Sequence, residues 1–367
     1  MELVWALGLS GDMDGVQASL ISADGQRIED TGTSLFLPYS DTLRRELLAL
    51  QRTEFINTTP DDAISKLSEE VSGWFVQASR RVIDRTKKVP SVIGLYGQTV
   101  ESRLGRKVIR LGSAEMLLSR LKIATVYDFH ESDLQAGGNG VFLEAPYYQG
   151  LVKWARDRRL LPNYPKMAVI DVSDLARVTI LSEKDPIAFE AGPGLALIDE
   201  FTQYAFQRND TDGSMGGRGE INCSVLNQWM RANKSVPRPT SLCDISKFIP
   251  YTRDCHTIPP LNGVATLTAF VSQMVENAAA GYSDLKGAIL TGRGAKNTFL
   301  KTLLNRSFNV FLPKDMSWNY QFEQSEEAAY NAVRVLYGLP TSYRTTTGVE
   351  SVCGKIICNN KPGVCEC

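Results

Sequence analysis

The sequence predicts an α/β fold in two halves, on three observations. β-prone apolar runs alternate with stretches of helical spacing along the chain. A strand, an acidic turn and a second strand open the chain and recur at residues 167–181, the format of an internal duplication. Glycine-rich loops stand in both halves, at 137–140, 192–194 and 292–294.

In chain order, residues 3–9 (LVWALGL) and 16–22 (VQASLIS) are strands flanking the loop Ser10-Gly11-Asp12-Met13-Asp14-Gly15. Residues 40–55 and 61–80 carry Leu43, Leu47, Leu48, Ile64, Leu67, Val71, Trp74 and Phe75 at helical spacing and predict two packed helices. SVIGLYGQTV (91–100) reads as a buried strand running into Gly97-Gln98-Thr99, and KVIRLG (107–112) as a short strand with a glycine stop. A helix over 113–121 leads to a strand in IATVYDF (123–129), and Gly137-Gly138-Asn139-Gly140 requires a loop with accessible backbone. The second half opens with MAVIDVSDLARVTIL (167–181), followed by Phe189-Glu190-Ala191-Gly192-Pro193-Gly194 and a helix from about 195 to 207. Residues 208–222, rich in Asp, Gly and Arg, predict a surface loop. Helices over 264–280 and 324–338 flank GAILTGRGAKN (287–297), a strand running into a glycine loop and a helix. Residues 1–150 and 151–350 are the expected domains, with a cysteine-rich tail at 351–367.

Composition narrows the function. With 43% hydrophobic residues in 367, the chain has apolar material for two domains. Its 40 basic and 41 acidic residues leave a net charge of -1, so no global field draws it onto nucleic acid or an anionic membrane. The opening Met1-Glu2-Leu3-Val4-Trp5-Ala6 lacks a basic leader, and no run reaches the roughly 18 apolar residues of a membrane helix, so a cytoplasmic protein is expected. Four of the seven cysteines, Cys353, Cys358, Cys365 and Cys367, crowd the C-terminus. Their spacing has no C-x2-C knuckle and reads as a mobile, reduced tail, dispensable for folding, ahead of a zinc site. Cys223, Cys243 and Cys255 read as ordinary thiols of a reducing compartment. Without a Ser-His-Asp spacing or a metal-ligand cluster, neither His130 nor His256 supports a hydrolase or metalloenzyme reading.

The chemistry-bearing residues gather at the turns. Gly292 and Gly294, after a strand and before a helix, permit close backbone approach to a nucleotide, although a plain strand-to-helix turn uses the same residues. Gln98, Thr99, Asp128 and Asp133 supply the amides, hydroxyls and carboxylates that grip sugar hydroxyls, although each singly also suits a cap or a surface. Gly192-Pro193-Gly194 requires an unusual backbone, and Glu190, two residues before it, is placed to project toward a cleft between the halves.

Taken in order, Gly11 with Asp14-Gly15, Tyr96-Gly97-Gln98-Thr99, Asp128-Phe129 with Asp133, Ala136-Gly137-Gly138-Asn139-Gly140, Gly192-Pro193-Gly194 with Ala196-Leu197-Ile198-Asp199, Ala265-Thr266-Leu267-Thr268, Gly292-Arg293-Gly294-Ala295-Lys296-Asn297 and Thr347-Gly348 resemble the anhydro-N-acetylmuramic acid kinase family over most of the chain. The resemblance implies a two-domain actin-like ATPase fold of ribonuclease H-like halves with an interdomain cleft that closes on its ligands. ATP and Mg²⁺ are the implied cofactors, a sugar or anhydro-sugar the implied substrate, and a second copy of the chain a candidate partner. Ser10, Gly11, Asp12, Asp14, Gly15, Ser173, Asp174, Gly192, Gly194, Gly292, Gly294 and Asn297 are implied at the nucleotide, and Gln98, Thr99, Asp128, His130 and Asp133 at the sugar. Asp12 and Asp14 are candidates for holding Mg²⁺. In the family an aspartate acts as general base, activating water to open the 1,6-anhydro ring while the freed 6-oxygen attacks the γ-phosphate. The matching residue here is Glu190, one methylene longer, and a displacement of about an ångström in a base costs about 100-fold.

Three segments depart from the family. Its first loop, Ser-Gly-Thr-Ser-x-Asp-Gly, is one residue shorter here and carries Asp12, and a like charge about 4 Å from a phosphate costs roughly 4 kcal/mol. Its second loop, Gly-Gly-Ile-Ala-Asn, is Ser173-Asp174-Leu175-Ala176-Arg177, where Arg177 or a Mg²⁺ on Asp12, Asp14 or Asp174 is expected to compensate. Its sugar segment Pro-Lys-Ser-Thr-Gly-Arg-Glu corresponds to Pro239-Thr240-Ser241-Leu242-Cys243-Asp244-Ile245, which keeps only Pro239 and Ser241. Two readings therefore stand: an ATP-dependent carbohydrate kinase using Glu190 as base, and a catalytically impaired pseudokinase acting as a binding or regulatory module.

Overall fold

The computed structural model describes residues 1–50, 60–101 and 108–359. The chain divides into two compact units: Met1–Trp154, Gln321–Tyr343 and the segment from Val349 form one, and Ala155–Tyr320 with Arg344–Gly348 form the other. Each is an α/β structure built on its own sheet. Among the described residues no helix is long and apolar enough to cross a membrane.

In the first unit the two opening apolar runs form β1 (Val4–Gly11) and β2 (Gly15–Ala23), an antiparallel hairpin in which nearly every side chain is buried. The short strands β3 (Ile28–Asp30) and β4 (Ser34–Pro38) both pair antiparallel with β2. On the other side, β5 (Val92–Glu101) runs parallel to β1, and β7 (Ala124–Tyr127) parallel to β5, while β6 (Val108–Leu111) folds back on β5. The helix Asp61–Thr86 covers one face of this sheet through Val71, Phe75, Ala78 and Val82, buried at the helical spacing that predicted it. The helix expected over 40–55 runs Asp41–Leu50, and its last residues lie outside the described ones.

The second unit repeats this plan. β8 (Lys166–Val172), β9 (Leu175–Leu181) and β10 (Ile187–Pro193) form an antiparallel meander, and β11 (Leu285–Thr291) and β12 (Asn309–Phe311) continue parallel to β8. The spatial order is third, second, first, fourth, fifth, the order that β3/β4, β2, β1, β5 and β7 follow in the first unit. The duplication expected from the two strand-turn-strand segments is thus a duplication of sheet topology. The helix Pro260–Ala279 is buried on almost every face, because β9, β10 and several helices of its own unit surround it.

The units differ from the expected division at the C-terminal end. The helix Glu323–Leu336, expected in the second half, packs on β1, β2 and β5 of the first. Gly8 and Gly94, register partners on β1 and β5, make room for it. A Cβ on Gly8 would stand 1.7 Å from the carbonyl oxygen of Ser325, and one on Gly94 1.9 Å from that of Ala328. Small residues on the sheet and on the helix (Ala328, Ala329, Ala332) thus bring backbone against backbone. Nor is the tail a free segment. β13 (Lys355–Ile357) pairs antiparallel with β7, Cys353 is fully buried, and Cys358 is disulfide-bonded, which corrects the expectation of a mobile, reduced tail at these positions. Cys365 and Cys367 lie outside the described residues.

This packing leads to three predictions. Gly94→Val should destabilise the protein by about 3 kcal/mol or more in denaturant unfolding, since backbone rather than a movable side chain blocks the new atoms. Gly73→Ala, mid-helix with nothing within 4 Å of the added carbon, should stabilise it by about 0.5–1 kcal/mol. A chain ending at residue 350 should unfold at least about 2 kcal/mol less stably than the full chain; equal stability would contradict the role given to Cys353 and β13.

Candidate functional site

In the second unit the sequence places Glu190 on β10, the edge strand of its sheet. The segment after Pro239 closes that edge: the Thr240 N–H donates to the carbonyl of Ala188 (2.8 Å), and the Glu190 N–H to the carbonyl of Ser241 (2.9 Å). Thr240 takes φ 70°, strained for a β-branched residue, to turn the chain there. The buried Glu190 carboxylate is then met by two donors, the Cys243 N–H at 2.6 Å on Oε2 and Arg177 Nε at 3.4 Å on Oε1. Burial, and then the Glu190 charge, push the Cys243 thiol up to about 11, so it is a neutral wall residue. The carboxylate lies at the wall of a cavity of about 300 Å³ lined also by Gly192, Arg238, Ser241, Lys247 and Met274. The expected base and the expected sugar segment therefore meet, although only two family residues survive in that segment. Arg238 and Lys247, on either side of that heptapeptide, add two basic side chains to the cavity wall.

The β8–β9 turn adjoins this cavity wall through Arg177. Ser173 Oγ donates to Asp171 Oδ1 (2.9 Å), and the Gly194 and Leu195 N–H groups donate to the carbonyls of Asp174 and Ser173 (2.8 and 2.6 Å). Gly194 is required there, since a Cβ would lie 2.4 Å from the Ser173 carbonyl oxygen. Gly292, at φ 68°, passes so close that a Cβ would stand 2.0 Å from Asp171 Oδ1, and Gly294 packs on Val172. These glycines bring the β11 loop onto the β8 turn. Gly192 sits at a register shift of β10, against Met274. Asp174 is paired with Arg293, whose other nitrogen holds Asp199 Oδ2 at 2.6 Å. Compensation thus comes from Arg293, whereas Arg177, the residue expected to supply it, is engaged with Glu190. Asn297 is buried and caps the helix Thr298–Leu304, its Oδ1 accepting from the Leu300 N–H at 2.8 Å. Asp171, which sequence did not single out, has its carboxyl pKa raised, burial outweighing the opposing charge of Arg177.

In the first unit the β1–β2 turn is closed by Asp12 itself. Its Oδ1 accepts the N–H groups of Asp14 (2.8 Å) and Gly15 (2.9 Å), the Asx-turn chemistry of a short acidic loop. Asp14 pairs with Arg44 Nε at 2.7 Å, so neither carboxylate presents a free pair of oxygens to an ion. Among the described residues no group of three His, Cys, Asp or Glu is arranged to hold a metal. Ser10 is buried beside Gln17, and Gly11 faces Gln98 and the Tyr39 hydroxyl, where a Cβ would meet Gln98 Oε1 at 2.6 Å. Gln98 is buried too, its amide spent on Tyr39 (3.1 Å) and the Thr99 carbonyl (3.0 Å), whereas Thr99 is exposed.

Asp128 and His130 follow β7 and line a smaller cavity of about 60 Å³ with Tyr96, Gly97, Arg110 and Glu131. His130 stands edge-on to Tyr96, with ring centroids 5.4 Å apart. Arg110 and Glu131, also missed by sequence, form an ion pair in this wall, and burial lowers the Arg110 guanidinium's proton affinity. Asp133 is elsewhere: fully buried, it accepts the Gly140 N–H at 2.8 Å and so orders the 137–140 loop. Its carboxylate acts on the loop rather than at the cavity.

Comparison with known proteins bears on the family. The family model "Anhydro-N-acetylmuramic acid kinase" matches residues 6–357. The chain is 32% identical to the anhydro-N-acetylmuramic acid kinase of Gluconobacter oxydans, over 96% of this chain and 98% of the relative, and 30% identical to that of Rhodospirillum rubrum, over 94% and 91%. Among solved structures it is similar to a ROK family glucokinase from Streptomyces griseus in complex with glucose and AMPPNP, with TM-score 0.42 and 10% identity, over 89% of this chain and 99% of the other. With a family match over nearly its whole length and relatives at 30% identity and above, the chain belongs to the anhydro-N-acetylmuramic acid kinase family.

Proposed function

We propose that the chain is an ATP-dependent sugar kinase acting on a sugar of the anhydro-N-acetylmuramic acid class, with Glu190 as general base. The observation that carries this reading is the Glu190 carboxylate: buried, fixed by one donor on each oxygen, and standing at the wall of a cavity of about 300 Å³. An ionised carboxylate has about four acceptor sites, so two remain for a water. In the proposed reaction Glu190 takes a proton from that water, whose oxygen bonds to C1 of the sugar. The C1–O6 bond breaks, O6 attacks the γ-phosphorus, and the β,γ bond breaks to release ADP. Fixing the base before the substrate arrives removes part of the orientational cost of the step.

Within the second unit, nucleotide phosphate is assigned to the turn carrying Ser173–Asp174, with Gly292 and Gly294 beside it. The case for a pseudokinase rested on two acidic residues confronting phosphate. Asp12 accepts two N–H groups of its own turn and Asp174 is paired with Arg293, which weakens that case. Mg²⁺ enters this reading with ATP, as part of the substrate. Each of Asp12 and Asp14 has one carboxylate oxygen firmly engaged, on its own turn and on Arg44 respectively.

Glu190→Gln should lower sugar-dependent ADP release by about 10²–10⁴-fold at unchanged ATP affinity. It should also cost about 1–3 kcal/mol of stability, because the amide nitrogen then faces a donor. Turnover within a few-fold of wild type would remove Glu190 from the mechanism. Arg293→Ala should raise KM for ATP about tenfold by exposing the Asp174 charge, and Asp174→Gly in that background should recover most of the loss. A double variant no better than Arg293→Ala would show that Asp174 does not act on phosphate.

A further inference from the structure

The two carboxylates that sequence reading assigned to the sugar, Asp128 and Asp133, are both touched by the C-terminal segment. Asp128 precedes the helix Phe129–Gln135, where an aspartate ordinarily caps the first N–H groups. It does not do so here. Its backbone is left-handed (φ 57°, ψ 36°), the side chain makes no cap bond, and Oδ2 instead accepts from Lys355 Nζ at 2.9 Å. Among the described residues Oδ1 accepts no hydrogen bond; the Arg110 guanidinium also attracts this carboxylate, and Asp128 lines the small cavity. The left-handed backbone of a non-glycine residue costs about 1 kcal/mol or more, and it persists only where surrounding contacts fix it.

Lys355 is placed by its own strand. β13 pairs with β7 in the register Lys355 to Tyr127, so the lysine stands beside the residue that precedes Asp128. Two positions earlier on the chain, Cys353 is buried, its N–H donating to Thr341 Oγ1 at 2.7 Å and its thiol 3.6 Å from Asp133 Oδ1. Asp133 in turn holds the Gly140 N–H. Anchor, strand and lysine thus form one connected path from the chain's end to the cavity wall, and every residue in it belongs to the first unit.

We propose that the C-terminal strand is a positioning element of the sugar site, in which Lys355, anchored through Cys353 and the β13–β7 pairing, orients the Asp128 carboxylate toward a substrate hydroxyl. The inference rests on the kinase reading and on Asp128 as a sugar contact. Lys355 itself touches no substrate; it acts through Asp128. Its ammonium is half-exposed, so losing the charge leaves the fold intact and releases only the carboxylate it aims.

The test compares wild type, Lys355→Met, Lys355→Arg and Asp128→Asn, all in the full chain, by calorimetric titration with 1,6-anhydro-N-acetylmuramic acid and by steady-state kinetics. Lys355→Met should weaken sugar binding and raise its KM roughly 3- to 30-fold, leaving kcat, KM for ATP and the unfolding midpoint as in wild type. Lys355→Arg should recover most of the loss, and Asp128→Asn should lose at least as much as Lys355→Met. Wild-type sugar binding with Lys355→Met indistinguishable from it overturns the inference while leaving the kinase reading in place. A loss in Lys355→Met shared equally by ATP and the unfolding midpoint also overturns it, since the strand would then be structural alone. A wild-type chain that binds no sugar overturns the kinase reading and this inference together.

Discussion

A carboxylate taken out of water has to be met by donors, and the neighbourhood of Glu190 is organised by that requirement. Removing the partner of such a buried charge typically costs about 3–5 kcal/mol. The chain meets it with the Cys243 N–H and the Arg177 guanidinium. To deliver the N–H, the segment from Thr240 to Cys243 docks on the free edge of β10 and accepts a strained turn at Thr240. That docking also builds the cavity wall, so the group assigned to chemistry and the surface assigned to substrate arise from one constraint. The heptapeptide matched to the family's sugar segment kept little of its sequence, yet its backbone performs this task, which any residue but proline at position 243 permits.

Charge compensation is the other theme of the second unit. Asp174 and Asp199 both converge on Arg293, a residue of the glycine-rich β11 loop. The glycines at 292 and 294 let that loop approach β8, and the arginine between them uses the approach to neutralise the adjacent turn. A departure in one loop is therefore answered by a residue in another, and the answer is visible only when both loops are in place.

Much of the fold was legible because it is local. The runs at 3–9 and 16–22, and those within 167–181, are apolar, β-prone and flank acidic turns, and they became the first two strands of their sheets. The helix at 61–80 showed in its apolar spacing and extends to Thr86. The return of Glu323–Leu336 to the first unit is non-local, and periodicity carries no information about which sheet receives a helix. Its signal was present in Gly8 and Gly94, glycines inside apolar strands, which mark a close backbone approach. Cys353 was read by its spacing to other cysteines, whereas its burial and its contact with Asp133 decide its role. Motif order pointed to Glu190, Gly292 and Gly294, which the structure places at the cavity wall and against the β8 turn. Arg110, Glu131, Asp171 and Arg293 matter through partners more than twenty residues away or through burial, neither of which spacing reveals.

The central claim is that a water activated by Glu190 and a phosphoryl group from ATP both end on the same sugar. Turnover of 1,6-anhydro-N-acetylmuramic acid with ATP in ¹⁸O-labelled water, followed by mass spectrometry of the products, tests it most directly. The account predicts one ¹⁸O in the sugar phosphate, at C1, with unlabelled phosphate and ADP in equal amount. Label in free inorganic phosphate with an unlabelled sugar, or no ADP at all, would contradict it.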